Sequence, residues 1–428
     1  MGKRIVFLIA ILIFSTKVPA SVLGDLAASM QPGTWRELVT GNTSALTSTG
    51  SSGLINLYAM SSAWDPTDKR LYFIGEDHGN FPSMRWIYYD DATNAWVVKG
   101  EGQPAMPNLP GHAYDHLTID QQNRVLYAAT YGSTTIWRYP IATNGPWTSE
   151  SMGNVYVNIT MGMEYFPGIG LTNYLCGAIP GGVMIRSEQG AWSYVTAGGN
   201  GGYHGFSEYS AKRNCAVFGG ANSNAKLIWR LNADKTVTAL SDAPVPLGIT
   251  NYNVVADPAT GNFLAMGGEP RELWELNPTG SGTWTKLAGT RVPPSAVGNP
   301  LAGMSGVGVF SGSISNYGVA MYVTGANRAF QSVYIYKHAT NSAGLERGNA
   351  RTETATLSVR PAPASVTGTV SISPVGPSAR YAIYDIRGKM VADLGGKTVW
   401  APHGVKAGLY VIKAQIGGSA VCQKLILE

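Results

Sequence analysis

Residues 86–96 read WIYYDDATNAW, and this stretch decides the fold. Aromatic and apolar residues flank a polar centre, so it reads as two strands joined by a tight turn. The same design returns as WRYPIATNGPW at 137–147 and as WELNPTGSGTW at 274–284, each bounded by a Trp pair. Weaker copies are MIRSEQGAW, ending at Trp192, and WRLNADKTV, beginning at Trp229. A second hairpin precedes most copies: AWDPTDKRLYFIG at 63–75, TIDQQNRVLYAAT at 118–130, YSAKRNCAVFGG at 209–220 and VADPATGNFLAMGG at 255–268. Four strands therefore recur every 40–50 residues or so, the period of propeller blades.

Six such units are expected, at about 56–99, 112–149, 158–195, 203–240, 250–287 and 302–337. The last ends at VYIYKHA without a fourth strand. GTWRELV, around Trp35, supplies one from the other end of the chain. An N-terminal strand that completes the last blade would close the ring and remove its open sheet edges. The expectation is an all-β chain with a six-bladed β-propeller closed in this way.

Composition agrees. Of 428 residues only 13% are charged, while Gly numbers 53, Tyr 22 and Trp 11. Such a chain suits short strands and turns rather than long amphipathic helices. The net charge of +5 is spread thinly, with no Lys/Arg cluster, which argues against a nucleic-acid partner. Lys3 and Arg4 precede an apolar run from Ile5 to Phe14, followed by Val18-Pro19-Ala20. Residues 1–20 thus read as a signal peptide cleaved near Ala20, and the mature protein is expected to be secreted or at the cell surface. Cys176, Cys215 and Cys422 lack metal-ligand spacing. They read as isolated buried thiols, or Cys176 and Cys215 pair in an oxidising compartment.

Over residues 30–340 the chain resembles kelch-repeat propellers of the galactose-oxidase-like type. The carriers are Gly219-Gly220 and Gly267-Gly268 at the ends of second strands, a looser Gly181-Gly182, and the Trp that closes each repeat. Residues 341–365 are polar and unpatterned, and read as a linker. Residues 366–428 alternate as strands with Gly turns. YDIRGKMV (384–391), GVKAGLYVIK (404–413) and the terminal KLILE resemble the C-terminal sorting domain of type IX secretion cargo. That resemblance implies an immunoglobulin-like β-sandwich whose partner is the outer-membrane secretion machinery.

In a propeller, the loops between blades share one face with those between second and third strands, and ligand sites sit there. Four of the six histidines map to that face. His112, Tyr114 and His116 stand in GHAYDH, where the second inner strand begins, and strand alternation puts them on one side. Tyr203 and His204 occupy the same place in the fourth unit, and Asn251 in the fifth. His78, Arg85, Tyr131, Asn222 and Arg271 fall in or beside second-to-third-strand loops. Thr160 and Glu164, of the third unit, are expected to lie between the second and fourth. His338 and His403 lie elsewhere.

His112, Tyr114, His116, Tyr203 and His204 are the candidate catalytic set. His78, Arg85, Tyr131, Glu164, Asn222, Asn251 and Arg271 are the candidate substrate contacts. Imidazole and phenol exchange protons near neutral pH once their environments separate their pKa values, and Arg neutralises a carboxylate bidentately. Together they suit β-elimination from a uronic-acid polysaccharide, a chemistry that some propeller polysaccharide lyases perform. The same inventory serves a non-catalytic adhesin or scaffold that binds a glycan. A bivalent metal on His78, His112 and His204 stays open as a lesser alternative, and no cofactor is expected. A copper-radical oxidase would need a Tyr–Cys crosslink beside two His, and sialidase boxes would need an Asp that NPTGSGTW lacks.

Overall fold

Turn chemistry starts each hairpin. Asp65, Asp90, Asp120 and Asp257 each cap the turn that follows their strand, accepting from Thr67 N, Ala92 N, Gln122 N and Thr260 N at 2.7–3.0 Å. Lys69, Asn94, Arg124, Asn144 and Asn214 then take the left-handed conformation that turns the chain back. A tyrosine in the preceding strand pins three of these turns: Tyr89, Tyr139 and Tyr209 donate to Asn94, Asn144 and Asn214.

The computed structural model describes residues 21–47, 55–56, 58–75, 85–101, 113–129, 135–151, 161–175, 181–196, 203–249, 251–268, 271–287, 309–327, 330–338, 359–360, 365, 368–372, 380–385, 389–402, 404–416 and 419–428. The chain divides into two compact units, Met1–Ser342 and Ala343–Glu428.

Among the described residues, the first unit contains six four-stranded antiparallel sheets, called I to VI in order of their first strands. Those first strands are Ser62–Asp65, Leu117–Asp120, Met161–Phe166, Phe206–Ser210, Asn253–Ala256 and Val309–Ile314. Each packs against the next, and the sixth returns to the first, so the sheets form a closed ring. This is a β-propeller. Sheet VI takes its outer strand from the N-terminus: Thr34–Glu37 pairs antiparallel with Phe330–Lys337, with Trp35 opposite Tyr336. Trp35 also packs at 4.7 Å on the Tyr336 ring and 5.1 Å on Tyr322.

The seam between sheets VI and I is fastened at three levels. Ser62 Oγ donates to Ser311 O at 2.6 Å, Trp64 Nε1 donates to Asn316 Oδ1 at 2.7 Å, and Phe73 stacks on Phe310 at 3.9 Å. The helix Val22–Ser29 covers it, burying Leu23 and Ala27. Aromatic pairs bridge other neighbours: Trp86 with Trp147, Tyr127 with Tyr165, Tyr174 with Phe218. The repeated tryptophans are thus packing between sheets. Cys215 is a buried free thiol whose pKa burial pushes up to about 11; Cys176 lies outside the described residues. His338, away from that face, is 2% exposed and lies 2.9 Å from the buried Glu275 carboxyl.

Among its described residues, the second unit has two antiparallel sheets around an apolar cluster that includes Ile372, Ile383, Trp400, Ile412 and Leu427. Val359–Arg360, within the stretch read as linker, pairs with Val370–Ile372. A two-residue strand carries no periodicity to read.

Trp35→Ala should destabilise the first unit by about 2 kcal/mol or more, since it strips two aromatic contacts from the closing strand. Chemical denaturation followed by tryptophan fluorescence checks this. An unchanged midpoint would mean that the N-terminal strand is dispensable to the ring.

Candidate functional site

The inner strands all start at one end of the ring, and the backbone there is strained. Tyr58, Tyr114 and His204 have φ of 55°, 36° and 74°. Aromatic residues seldom adopt this region, at a cost of about 1–2 kcal/mol each, and it persists only where surrounding structure enforces it. The three are in contact. Tyr58 stacks on His204 at 5.4 Å, and Tyr114 meets His204 at 5.2 Å. They come from segments leading into sheets I, II and IV.

Sheet III should separate Tyr114 from His204, and its sequence explains why it does not. Gly162 lies between them, and a Cβ there would sit 2.5 Å from Ser207 N. Without one, Asp115 reaches across: its Oδ2 accepts from Ser207 N at 2.6 Å, while its carbonyl accepts from Met163 N. Glu164, expected in this gap, lies further along the bore beside Thr118. Thr160, expected with it, is outside the described residues.

His204 Nδ1 is 2.7 Å from Asn222 Oδ1. With the amide oxygen as acceptor, Nδ1 carries the proton and Nε2 is the basic nitrogen. Asn222 N donates to Tyr203 O at 2.8 Å, and Ile249 N donates to His204 O at 3.2 Å, fixing the loop from both sides. Tyr203 is 43% exposed and Asn222 is exposed. Asn251 stands on the same support, its N–H donating to Gly248 O.

The other expected residues distribute differently. Tyr114 and His116, only 5% and 2% exposed, form the underside of the cluster and are not available to a substrate. Strand alternation misplaced them because the inner strand begins at Leu117 and Tyr114 is left-handed. Arg85 donates to Ser44 O at 3.0 Å, towards the N-terminal segment. Arg271 precedes the third strand of sheet V. His78, His112 and Tyr131 lie outside the described residues. Tyr58 had no sequence signal, since it sits one position out of the register that aligns Tyr114, His204 and Asn251. Among the described residues, no three His, Cys, Asp or Glu side chains are gathered as metal ligands.

Inside the ring, Glu164 accepts from Thr118 Oγ1 at 3.0 Å and Glu208 from Ala256 N at 3.3 Å. Burial, then the charge of Asp115, pushes the Glu164 carboxyl up to about 8. Burial and the charges of Glu164 and Asp115 raise Glu208, and burial raises Asp115.

No protein-family model matches the chain, and no curated protein does. Solved structures that superpose on it include virginiamycin B lyase from Staphylococcus aureus, at 12% identity and TM-score 0.40, covering 72% of this chain and 89% of that one. An auxiliary nutrient binding protein from Bacteroides ovatus matches at 11% identity and TM-score 0.46, covering 70% and 76%. A structural genomics protein of unknown function from Bacteroides thetaiotaomicron matches at 12% and 0.45, covering 71% and 75%. Likenesses this distant carry no argument about chemistry.

Carboxyls raised in the folded state bind more protons there than in the unfolded chain. Their stabilisation is complete below the ordinary value of 4.5 and is lost as pH climbs through about 8. The melting temperature of the first unit should therefore fall between pH 6 and 9 or so, and Glu164→Gln should flatten that slope. Calorimetry across pH checks both, and an equal slope in the variant would remove Glu164 from the linkage.

Proposed function

We propose that the chain is a secreted or surface-attached, six-bladed kelch-like propeller that binds a polysaccharide or cell-surface glycan. In this reading its C-terminal unit is an immunoglobulin-like sorting domain, recognised by outer-membrane secretion machinery. The observation that carries the glycan reading is the cluster of Tyr58, Tyr203, His204 and Asn222. Segments of sheets I and IV meet there over the buried Tyr114 of sheet II, with Tyr58 and His204 held in strained backbone, Tyr203 exposed, and the Asn222 amide beside the imidazole. Flat aromatic faces stack on sugar rings, and rigid amide and imidazole groups hydrogen-bond hydroxyls at little entropic cost. Among the described residues of the cluster there is no Lys or Arg to neutralise a uronate carboxylate. Binding is therefore the primary reading.

One observation favours a catalytic second reading, a polysaccharide lyase acting on uronic-acid glycans by β-elimination. The bond from His204 Nδ1 to Asn222 presents Nε2 as a base, and a phenol stands next to it in sequence and space. His204 would take the proton α to the uronate carboxyl, and Tyr203 would protonate the departing glycosidic oxygen.

Affinity electrophoresis against a panel of neutral and acidic polysaccharides tests the binding reading. Tyr203→Ala and His204→Ala should each weaken retardation by a glycan about tenfold or more with an unchanged melting temperature. Retention of affinity in both would sink the site. Appearance of ultraviolet absorbance from an unsaturated uronate product would establish the lyase, and Asn222→Ala should then lower its rate while leaving the fold intact.

The sorting reading has its own test. A chain ending near residue 345, just past the boundary of the first unit, should fold but remain undisplayed in the native host. Normal surface display of that chain would refute it.

A further inference from the structure

The inner strands end at a second polar place, away from the aromatic cluster at their start. A cavity of about 170 Å³ opens there, walled by all six sheets. Trp64, Tyr165 and Tyr209 are among the lining residues, and Glu164, Glu208 and Asp257 bring carboxyls to it.

These acids have no cation set against them. Lys212, the one Lys or Arg on the described wall, spends its Nζ on Ala259 O. Glu164 and Glu208 keep part of their surface accessible where they line the cavity, and their hydrogen bonds at 3.0 and 3.3 Å are few for carboxyl groups. Asp257 is a separate observation. It is 1% exposed, and its Oδ2 accepts both Thr260 N at 2.7 Å and Thr260 Oγ1 at 2.6 Å, yet its Oδ1 has no hydrogen-bond partner. The Tyr322 hydroxyl, also without a partner, lies within electrostatic reach of Asp257 and Glu208.

An enclosed acidic wall of this kind calls for positive charge that brings N–H donors with it. A compact ammonium satisfies several carboxyl oxygens at once. At about 30 Å³ for each water, the volume matches roughly five or six waters, enough for a single small ring. The carboxyls are not assembled as metal ligands among the described residues.

We propose that this cavity binds a small organic ammonium, of the class of a free amino sugar, with Glu164 and Glu208 facing the ammonium. The site lies apart from the Tyr203–His204 platform and does not depend on the glycan reading above. When the ligand binds, the two carboxyls ionise and their protons pass to the buffer. Asp115, Asp257, Tyr165, Tyr209, Tyr322 and Lys212 are the other titratable groups facing them, and Lys212 is the only cation of the set.

Isothermal titration of the full chain with glucosamine, and with glucose as the uncharged control, tests this. Glucosamine should bind and glucose should give no measurable heat. The heat in two buffers of different ionisation enthalpy should show net proton release between pH 6 and 7, where glucosamine is still an ammonium, and affinity should rise over that same range. Glu164→Gln and Glu208→Gln should each weaken binding about tenfold or more. Ala211→Trp, at the exposed mouth, should block entry without touching a carboxyl, so it carries the test if a bore variant misfolds. Tyr203→Ala should leave glucosamine affinity unchanged. No binding of glucosamine, equal binding of glucose, or full affinity in both Glu208→Gln and Ala211→Trp would overturn the proposal.

Discussion

Everything in the first unit depends on one constraint: a ring of sheets has to close, and it closes between the two ends of the unit. A four-stranded sheet leaves both faces and two edges unsatisfied. Packing each sheet against its neighbours buries the faces, but the last neighbour must be the first. Here the N-terminal strand Thr34–Glu37 joins sheet VI, while Ser62, Trp64 and Phe73 of sheet I engage Ser311, Asn316 and Phe310. The helix Val22–Ser29 adds Leu23 and Ala27 to the same cluster. Long-range pairing of this kind costs loop-closure entropy before its contacts repay it, which local hairpins largely avoid.

The ring is not regular, and the irregularity makes the site. Sheet III offers Gly162 where its neighbours offer side chains. Asp115 of the second repeat can therefore reach Ser207 of the fourth, and Tyr114 can touch His204. One missing Cβ draws three segments together and holds them in backbone conformations that aromatic residues avoid. The same contact takes Tyr114 and His116 out of solvent, leaving Tyr203, His204 and Asn222 as the accessible surface.

The bore follows the opposite logic. Most inner-strand polar groups are answered by a neighbouring sheet: Ser61 by Leu117 N, Thr118 by Tyr165 N and Glu164, Ser210 by Gly261 O. Glu164, Glu208 and Asp257 are answered only in part. A cluster of incompletely satisfied acids inside a closed ring costs stability, and it is cheapest to carry where a ligand completes it.

How much of this could be read from the sequence follows from the range of the interactions involved. Hairpins were legible because turn chemistry is local: WIYYDDATNAW carries its own Asp cap, left-handed Asn and pinning tyrosine. The four-strand period, and the role of Trp35 in completing sheet VI, followed from counting strands, since an unpaired edge has few places to go. His204, Tyr203 and Asn222 were legible as neighbours because equivalent positions in repeats meet at one end. What sequence could not show were effects between repeats. Strand alternation assigned Tyr114 and His116 to a surface, and a left-handed residue at Tyr114 buried them instead. Tyr58 joined the cluster from outside the aligned register. Glu164 was assigned to a gap that Gly162 closes, and it stands in the bore with Glu208 and Asp257. These placements depend on which side chains a neighbouring sheet lets through, and only the packed ring decides that.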